Sequence, residues 1–123
     1  MSLTVAVDFD GTIHPYTNGW TGEIPDDEPP IEGAVFFLHT LKELKYRVVI
    51  FSARASTMEG HQGILNWLIA YDLKKYVDDI TFTKPYAVAY VDDRSVVYRD
   101  CNWADCIAAI EELSPKKKHN AAS

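Results

Sequence analysis

Two aspartates placed two positions apart are the residues of this 123-residue chain that most directly suggest chemistry. Asp8 and Asp10 follow the apolar residues 5–7 and are followed at once by Gly11-Thr12. A short apolar run bounded by turn residues is typical of a buried parallel strand, in which alternation directs both carboxylates to one side. Two like charges this close resist joint ionisation unless a cation or a substrate uses them. The pair is therefore a candidate site, and a strand-end turn or helix cap is the alternative interpretation.

Further polar side chains follow the other predicted strands. They are Ser52 after strand 47–51, Lys84 after strand 79–82, and Asp92 with Asp93 after strand 87–91. In an open parallel sheet, ligands gather outside the carboxyl ends of the strands, so these residues are expected to form one chemical set.

This set of groups suits phosphoryl transfer, which depends on positioning and on neutralisation of spread negative charge. Carboxylates from two strand ends supply the oxygen ligands that Mg²⁺ prefers, and a carboxylate is also a competent nucleophile. Lys84 would balance the acids and contact phosphoryl oxygens. The hydroxyl of Ser52 and the backbone N–H groups after Asp8 offer further donors to the same oxygens.

Periodicity places these residues in an alternating order of strands and helices. Amphipathic spacing predicts helices over 32–45, 57–73 and 103–113, and β-branched apolar runs predict a fifth strand over 95–98. Asn18-Gly19 between two short runs predicts a small flap hairpin from Ile13 to Ile24. Apolar positions of the first two helices should face the core: Val35, Phe37, Leu38, Leu41, Leu44, Ile64, Leu65, Trp67, Leu68 and Ile69.

Strands alternating with helices predict the α/β class, with an open, mostly parallel, Rossmann-like sheet and helices on both faces. A chain of this length, 47% hydrophobic, has room for one core. We expect one domain over residues 1–114 and a disordered basic tail over residues 115–123.

Charge and hydropathy exclude some classes of function. The net charge is −6, and about −9 without the three lysines of the tail, which opposes a broad grip on nucleic acid. No apolar run approaches the roughly 18 residues needed to cross a bilayer, and the N-terminus lacks a secretory pattern. A cytoplasmic protein without a membrane partner, with reduced thiols at Cys101 and Cys106, is the resulting expectation.

The four polar positions also carry a family resemblance. The sequence D-F-D-G-T-I at residues 8–13, Ser52, Lys84-Pro85 and Y-V-D-D at residues 90–93 resembles the four ordered motifs of the haloacid dehalogenase (HAD) superfamily. The resemblance extends over nearly the whole chain up to Leu113. A lone D-x-D is weak, whereas the four motifs in this order, each after a strand, are specific.

The resemblance implies a role for each matched residue. Asp8 matches the nucleophile, Asp10 the general acid/base, Ser52 the phosphate-binding hydroxyl and Lys84 the orienting lysine. The implied metal is Mg²⁺, held by Asp8, by the backbone carbonyl at the Asp10 position and by the acids of the last motif, with the choice between Asp92 and Asp93 left open. The candidate phosphate-binding set is completed by Phe9, Ala53 and Arg54.

The implied activity is Mg²⁺-dependent hydrolysis of a phosphomonoester through an aspartyl-phosphate. Neither gap in the motif order has room for a cap domain, so the site should be open and suited to a phosphate that a large substrate presents. A nucleotide or a phosphorylated nucleic-acid end ranks above a phosphoprotein. The alternatives are a catalytically silent module that binds phosphate or metal, and a sugar-phosphate or protein phosphatase whose lid comes from a second subunit of a homo-oligomer.

Three residues near the motifs keep two interpretations each. Arg54 is expected either to bind phosphate through its forked guanidinium or to form a surface salt bridge. Trp20 either stacks on a base or sugar or pins the hairpin. His14 either contacts substrate or is an ordinary surface residue.

Overall fold

The computed structural model of the chain describes residues 3–91, 107, 110 and 111, and within them four strands form one parallel sheet. The strands lie in the order β3-β2-β1-β4. Two α-helices and two short 3₁₀ helices connect them. The bounds are β1 Thr4–Asp8, α1 Ala34–Glu43, β2 Arg47–Phe51, 3₁₀ helix Ala53–Ser56, α2 Met58–Ala70, 3₁₀ helix Lys74–Tyr76, β3 Asp79–Thr81 and β4 Ala89–Val91.

Helices α1 and α2 pack against the same face of the sheet. Alternate residues of β1 and β2, such as Val5 and Ile50, lie in one buried cluster with Leu38 of α1 and Trp67 of α2. This follows from the strand order, because β1, β2 and β3 succeed one another in one direction and right-handed crossovers put both connecting helices on one side. The α/β class and the parallel sheet are confirmed, whereas helices on both faces stay a prediction.

Each helix ends where the backbone turns left-handed. Lys45, just after α1, has φ 70°, and its N–H and that of the next residue bond back to Lys42 and Leu41. Asp72 after α2 has φ 59° and repeats the pattern. These are Schellman-type ends, which satisfy carbonyls that the helix leaves unpaired. The second helix therefore ends a few residues before the predicted boundary at 73.

The buried stripe of α1 is narrower than the sequence predicted. Its buried residues are Ala34, Phe37, Leu38 and Leu41, a spacing that forms one side of a helix. Val35 and Leu44 fall outside that stripe and are exposed. Ile69 on α2 is likewise exposed, so these three expected core positions were wrong.

The predicted hairpin over 13–24 is wrong, because this stretch contains no strand in the structure. Pro15 has no N–H to give to a ladder, and Tyr16 has φ 59°. Side chains hold the segment instead: the His14 ring contacts the Asp26 carbonyl, and Arg54 donates to the carbonyl of Gly22. We call residues 15–28 the tethered loop.

Several predicted features lie outside the described residues. These are Asp92 and Asp93, the strand 95–98, both cysteines, the tail 115–123 and most of the helix 103–113; Ile107, Ile110 and Glu111 are helical, and Ile110 is buried. Among the residues the structure describes, no helix combines the length and apolar character needed to cross a membrane.

Candidate functional site

Asp8 is the last residue of β1, at the carboxyl edge of the sheet. It pairs with Phe51, the last residue of β2, and one position earlier Val7 pairs with Val91, the last residue of β4. Strand order reverses between β1 and β4, since β2 and β3 lie on one side of β1 and β4 on the other. Open parallel sheets bind ligands at such a reversal, so Asp8 occupies the favoured place.

Lys84 extends over the same face of the sheet as Asp8. Its Nζ lies 5.8 Å from the ring centroid of Phe51 and 4.6 Å from that of Tyr90. Phe51 pairs with Asp8, and Tyr90 pairs with Ala6. Paired residues point to one face, and so do positions two apart in a strand, so the ammonium lies on the face that carries the Asp8 side chain.

Asp10, Ser52 and Arg54 form a directly bonded cluster just beyond the strand ends. The Nε–H of Arg54 donates to Asp10 Oδ1 at 2.9 Å, and the Ser52 hydroxyl donates to Asp10 Oδ2 at 3.3 Å. Ser52 Oγ in turn accepts the backbone N–H of Arg54 at 3.1 Å and so caps the 3₁₀ helix 53–56. The structure therefore brings these three expected site residues together.

The guanidinium of Arg54 is buried, with a fractional exposure of 0%. Besides Asp10 it donates through Nη1 to the Gly22 carbonyl, and Trp20 covers it with the ring centroid 4.6 Å from Cζ. Nη2 is buried without a hydrogen-bond partner among the described residues, as is Thr12 Oγ1. The salt bridge expected of Arg54 exists, but it lies inside the protein and not on its surface.

Backbone N–H groups of the turn after β1 form hydrogen bonds within the turn. The Phe9 carbonyl accepts the N–H groups of Thr12, Ile13 and His14, and the Phe9 N–H donates to Asp8 Oδ1 at 2.8 Å. Gly11, at φ 80°, donates to the His14 carbonyl. These amides, expected as donors to a phosphate, are thus engaged within the turn.

His14 holds the tethered loop and is only 1% exposed, so the surface interpretation was wrong. Its Nδ1 accepts the backbone N–H of Tyr16 at 3.0 Å, and Nε2 lies 2.8 Å from the Asp26 carbonyl. A carbonyl can only accept, so the proton must be on Nε2. The ring also stacks on Phe9, with centroids 5.4 Å apart, which ties the loop to the turn after Asp8.

Two glycines of α2 let the helix approach this cluster closely. A Cβ on Gly60 would lie 1.7 Å from the Arg54 carbonyl oxygen. A Cβ on Gly63 would lie 3.1 Å from Pro25 Cδ in the tethered loop. The absence of a side chain at Gly60 therefore lets α2 contact the backbone at Arg54, and its absence at Gly63 lets α2 contact the tethered loop.

The remaining predicted residues are placed less fully. Ala53 is exposed at the start of the 3₁₀ helix 53–56, and Asp92 follows Val91 directly but lies, with Asp93, outside the described residues. Within residues 3–91, 107, 110 and 111, no group of three or more His, Cys, Asp or Glu side chains is placed to hold a metal ion. The predicted metal site therefore depends on carboxylates beyond Val91.

A groove of about 710 Å³ lies on another part of the surface, between the tethered loop and α2. Ile24, Met58 and Trp67 are among its lining residues, and neither Asp8 nor Asp10 is. Sequence reasoning missed this groove and the role of the Gly22 carbonyl, because both depend on where an irregular loop lies.

Comparison of the chain with family models, with curated proteins and with solved structures gives no match.

Proposed function

We propose that the protein is a Mg²⁺-dependent phosphomonoester hydrolase in which Asp8 is the nucleophile. The observation that carries this proposal is the position of Asp8 at the end of β1, at the reversal of strand order, with the ammonium of Lys84 on the same face. A carboxylate and an ammonium at this edge supply the nucleophile and the charge neutralisation that phosphoryl transfer requires.

In the proposed reaction, a carboxylate oxygen of Asp8 attacks phosphorus and the bond from phosphorus to the ester oxygen breaks. Asp10 gives its proton to the departing alkoxide, so a poor leaving group departs as an alcohol. A water molecule then attacks the phosphorus of the aspartyl-phosphate while Asp10 takes the proton of that water, and the bond from phosphorus to the Asp8 oxygen breaks. Free Asp8 and inorganic phosphate result.

Ser52 and Lys84 have different parts in this proposal. Lys84 is exposed and balances the charge of the phosphoryl group. Ser52 is only 4% exposed and its hydroxyl donates to Asp10, so in the described arrangement it supports the acid/base residue. Its proposed contact with phosphate requires that hydroxyl to turn from Asp10 towards the substrate.

The donor chemistry at this edge fits Mg²⁺, which prefers carboxylate and carbonyl oxygens. Asp8, the Asp10 carbonyl and Asp92 or Asp93 would hold it, since β4 pairs with β1 and its last residue, Val91, is followed in the sequence by Asp92. Bound there, the ion would neutralise charge on the phosphoryl oxygens.

For substrate, we propose a nucleotide or a phosphorylated nucleic-acid end. Support comes from aromatic side chains that are exposed near Lys84, namely Phe82, Tyr86 and Tyr90. Aromatic faces stack on bases irrespective of sequence, at about 1–3 kcal/mol per base.

The experiment is hydrolysis of p-nitrophenyl phosphate with Mg²⁺, with Ca²⁺ and with excess chelator, followed by a 3′-phosphorylated oligonucleotide, a mononucleotide and a sugar phosphate. Turnover with Mg²⁺, little with Ca²⁺ and none with chelator is expected, because Ca²⁺ is larger and takes more ligands. The beryllofluoride complex should carry its Be–F group on the Asp8 carboxylate, and Asp8→Asn should abolish both turnover and this complex.

Asp79→Asn is the matched control, since Asp79 begins β3 at the opposite edge of the sheet and should leave turnover unchanged. Full activity of Asp8→Asn would refute the nucleophile, and undiminished activity in chelator would refute the metal. Phosphate binding without any turnover would favour the catalytically silent module. The observation that supports this alternative is that both oxygens of Asp10 already accept hydrogen bonds within the protein.

A further inference from the structure

The guanidinium of Arg54 is enclosed by other groups of the protein. Its side chain is fully buried, one face lies against Trp20, and its Nη1 is bonded to the Gly22 carbonyl of the tethered loop. A side chain that binds phosphate in an open site normally has its donor groups exposed to that site. Here both the indole and the loop would have to move before the guanidinium met a phosphoryl oxygen.

We infer that Arg54 is a positioning residue for Asp10, and that its guanidinium does not bind the substrate phosphate. This inference rests on the proposed hydrolase function, in which Asp10 is the general acid/base. The bond from Arg54 Nε–H to Asp10 Oδ1, at 2.9 Å, is the contact that carries it.

The hydrogen bonds determine which oxygen of Asp10 handles the proton. Arg54 is always charged and only donates, so Asp10 Oδ1 must remain an acceptor. Oδ2 faces the Ser52 hydroxyl, which can accept as well as donate. With Oδ1 held by Arg54, Oδ2 is the oxygen left for the proton that passes to the leaving group, and the Ser52 hydroxyl, which donates to Oδ2 in the described arrangement, must turn when that proton is present.

The same guanidinium connects Asp10 to the tethered loop. Nη1 bonds to Gly22 and the Trp20 ring covers Cζ, so three directions of the guanidinium are fixed by Asp10, Gly22 and Trp20. Misplacement of a catalytic group by about 1 Å can cost about 10²-fold in rate, so this fixation has a measurable consequence.

The experiment compares Arg54→Ala and Arg54→Lys with Arg47→Ala. Arg47 is the matched control because it also faces an aspartate, Asp79, at 3.6 Å, but is half-exposed at the other edge of the sheet. Each variant is assayed on a simple alkyl phosphate and on p-nitrophenyl phosphate, with inhibition by inorganic phosphate as the measure of phosphate binding. Circular dichroism verifies folding.

For Arg54→Ala we expect a loss of about 10²-fold in kcat on the alkyl phosphate and less than about 10-fold on p-nitrophenyl phosphate, whose leaving group needs no proton. Inhibition by inorganic phosphate should be unchanged. In an Asp10→Asn background, Arg54→Ala should add no further loss on the alkyl phosphate, because both changes remove one function. Added guanidinium ion should restore part of the lost turnover.

Arg54→Lys keeps the charge without the planar fork, so a smaller loss with the same substrate preference is expected, and this variant decides the question if Arg54→Ala does not fold. Equal losses on both substrates, weaker inhibition by phosphate and losses that add to those of Asp10→Asn would show that Arg54 binds the phosphate. Absence of turnover in the unmodified protein would refute the proposed function itself, which distinguishes the two failures.

Discussion

Two ion pairs, one near each edge of the sheet, contrast in burial and in how fully they are bonded. Asp10 and Arg54 lie at the carboxyl edge, with side chains 16% and 0% exposed. Asp78 and Lys42 lie at the amino edge, at 2.6 Å, with side chains 33% and 31% exposed. Each carboxylate accepts one more donor: the Ser52 hydroxyl at Asp10, and the Val48 N–H, at 2.8 Å, at Asp78.

The difference between the pairs indicates what each one does. Lys42 also donates to the Tyr46 carbonyl, so the amino-edge pair joins α1, β2 and the start of β3 through bonds that suit a structural tie. The carboxyl-edge pair buries a guanidinium whose Nη2 has no partner in the described part of the chain. A buried donor that stays unsatisfied costs about 1–3 kcal/mol, which offsets part of what this pair contributes to stability.

The largest expected effect is a difference in kcat between variants of the two pairs. Asp10→Asn should lower kcat on alkyl phosphates by about 10²–10⁴-fold, because general acid catalysis is lost, and should affect p-nitrophenyl phosphate less. Asp78→Asn, at the other edge, should leave kcat unchanged. The measurement is steady-state kinetics on both esters, and equal loss on the two esters for Asp10→Asn would remove the proposed role.

The second prediction compares the stabilities of the two pairs. Arg54→Ala leaves a carboxylate in a largely buried place without its cation and should lower the free energy of unfolding by about 3–5 kcal/mol. Lys42→Ala, in a pair whose side chains are 31% and 33% exposed, should cost about 1 kcal/mol or less. Urea denaturation measures both values. Similar losses would show that burial does not distinguish the pairs.

The third prediction concerns the glycines that seat α2 beside the carboxyl-edge pair. Gly60→Ala directs a methyl group into the Arg54 carbonyl and should cost about 1–3 kcal/mol through forced backbone movement. For Gly63→Ala the nearest atoms belong to Pro25 and Ile24 of the tethered loop, at 3.1 Å or more, so this variant should cost less. Thermal unfolding compares them, and a larger loss for Gly63→Ala would contradict the close approach at Arg54.

The smallest expected effect is the acid dependence of the amino-edge pair. Burial raises the pKa of Asp78, but the hydrogen bonds from Lys42 and from the Val48 N–H, with the charges of Lys42 and Arg47, prevail and lower it below 3.8. A folded-state pKa below the unfolded one stabilises the protein at higher pH, and this stabilisation is lost as the pH falls through the folded pKa.

Unfolding curves between pH 6 and about pH 2 should therefore show a loss of stability below about pH 4 that is smaller in Asp78→Asn than in the unmodified protein. Asp79→Asn, at the neighbouring position, serves as the control for the loss of one surface carboxylate. If Asp78→Asn loses as much stability at low pH as the unmodified protein, the pair of Asp78 and Lys42 does not contribute to the acid dependence of stability.

The regular elements could be predicted because their signals are local. The β-branched run of β2 was predicted with the bounds that the structure shows, and Thr57 caps α2 by accepting the Gly60 N–H. The placement of Asp8 and Lys84 at the carboxyl edge could be predicted because alternating strands and helices imply a parallel sheet, in which all strands end at the same edge. The sequence was therefore sufficient to predict the elements whose geometry follows from the spacing of residues along the chain.

The irregular parts could not be predicted because their contacts join distant positions. Nothing local to His14 indicates that both ring nitrogens bind backbone groups of the tethered loop. Likewise, Arg54 on its own is indistinguishable from a surface arginine; its burial results from Trp20 and Gly22, more than thirty positions earlier in the chain.

The place of β4 in the sheet also has a consequence for the order of folding. Its partner is β1, near the other end of the described chain, whereas β1 pairs with β2 and β2 with β3, each with the next strand in sequence. Closing the longest loop costs the most chain entropy, and a strand of three residues returns few bonds for it. We expect β4 to dock last during folding and to detach first at equilibrium, which amide hydrogen exchange at Ala89 and Val91 would reveal. A chain that has lost only this strand would keep most of its core yet be inactive, so loss of activity on mild destabilisation should precede global unfolding.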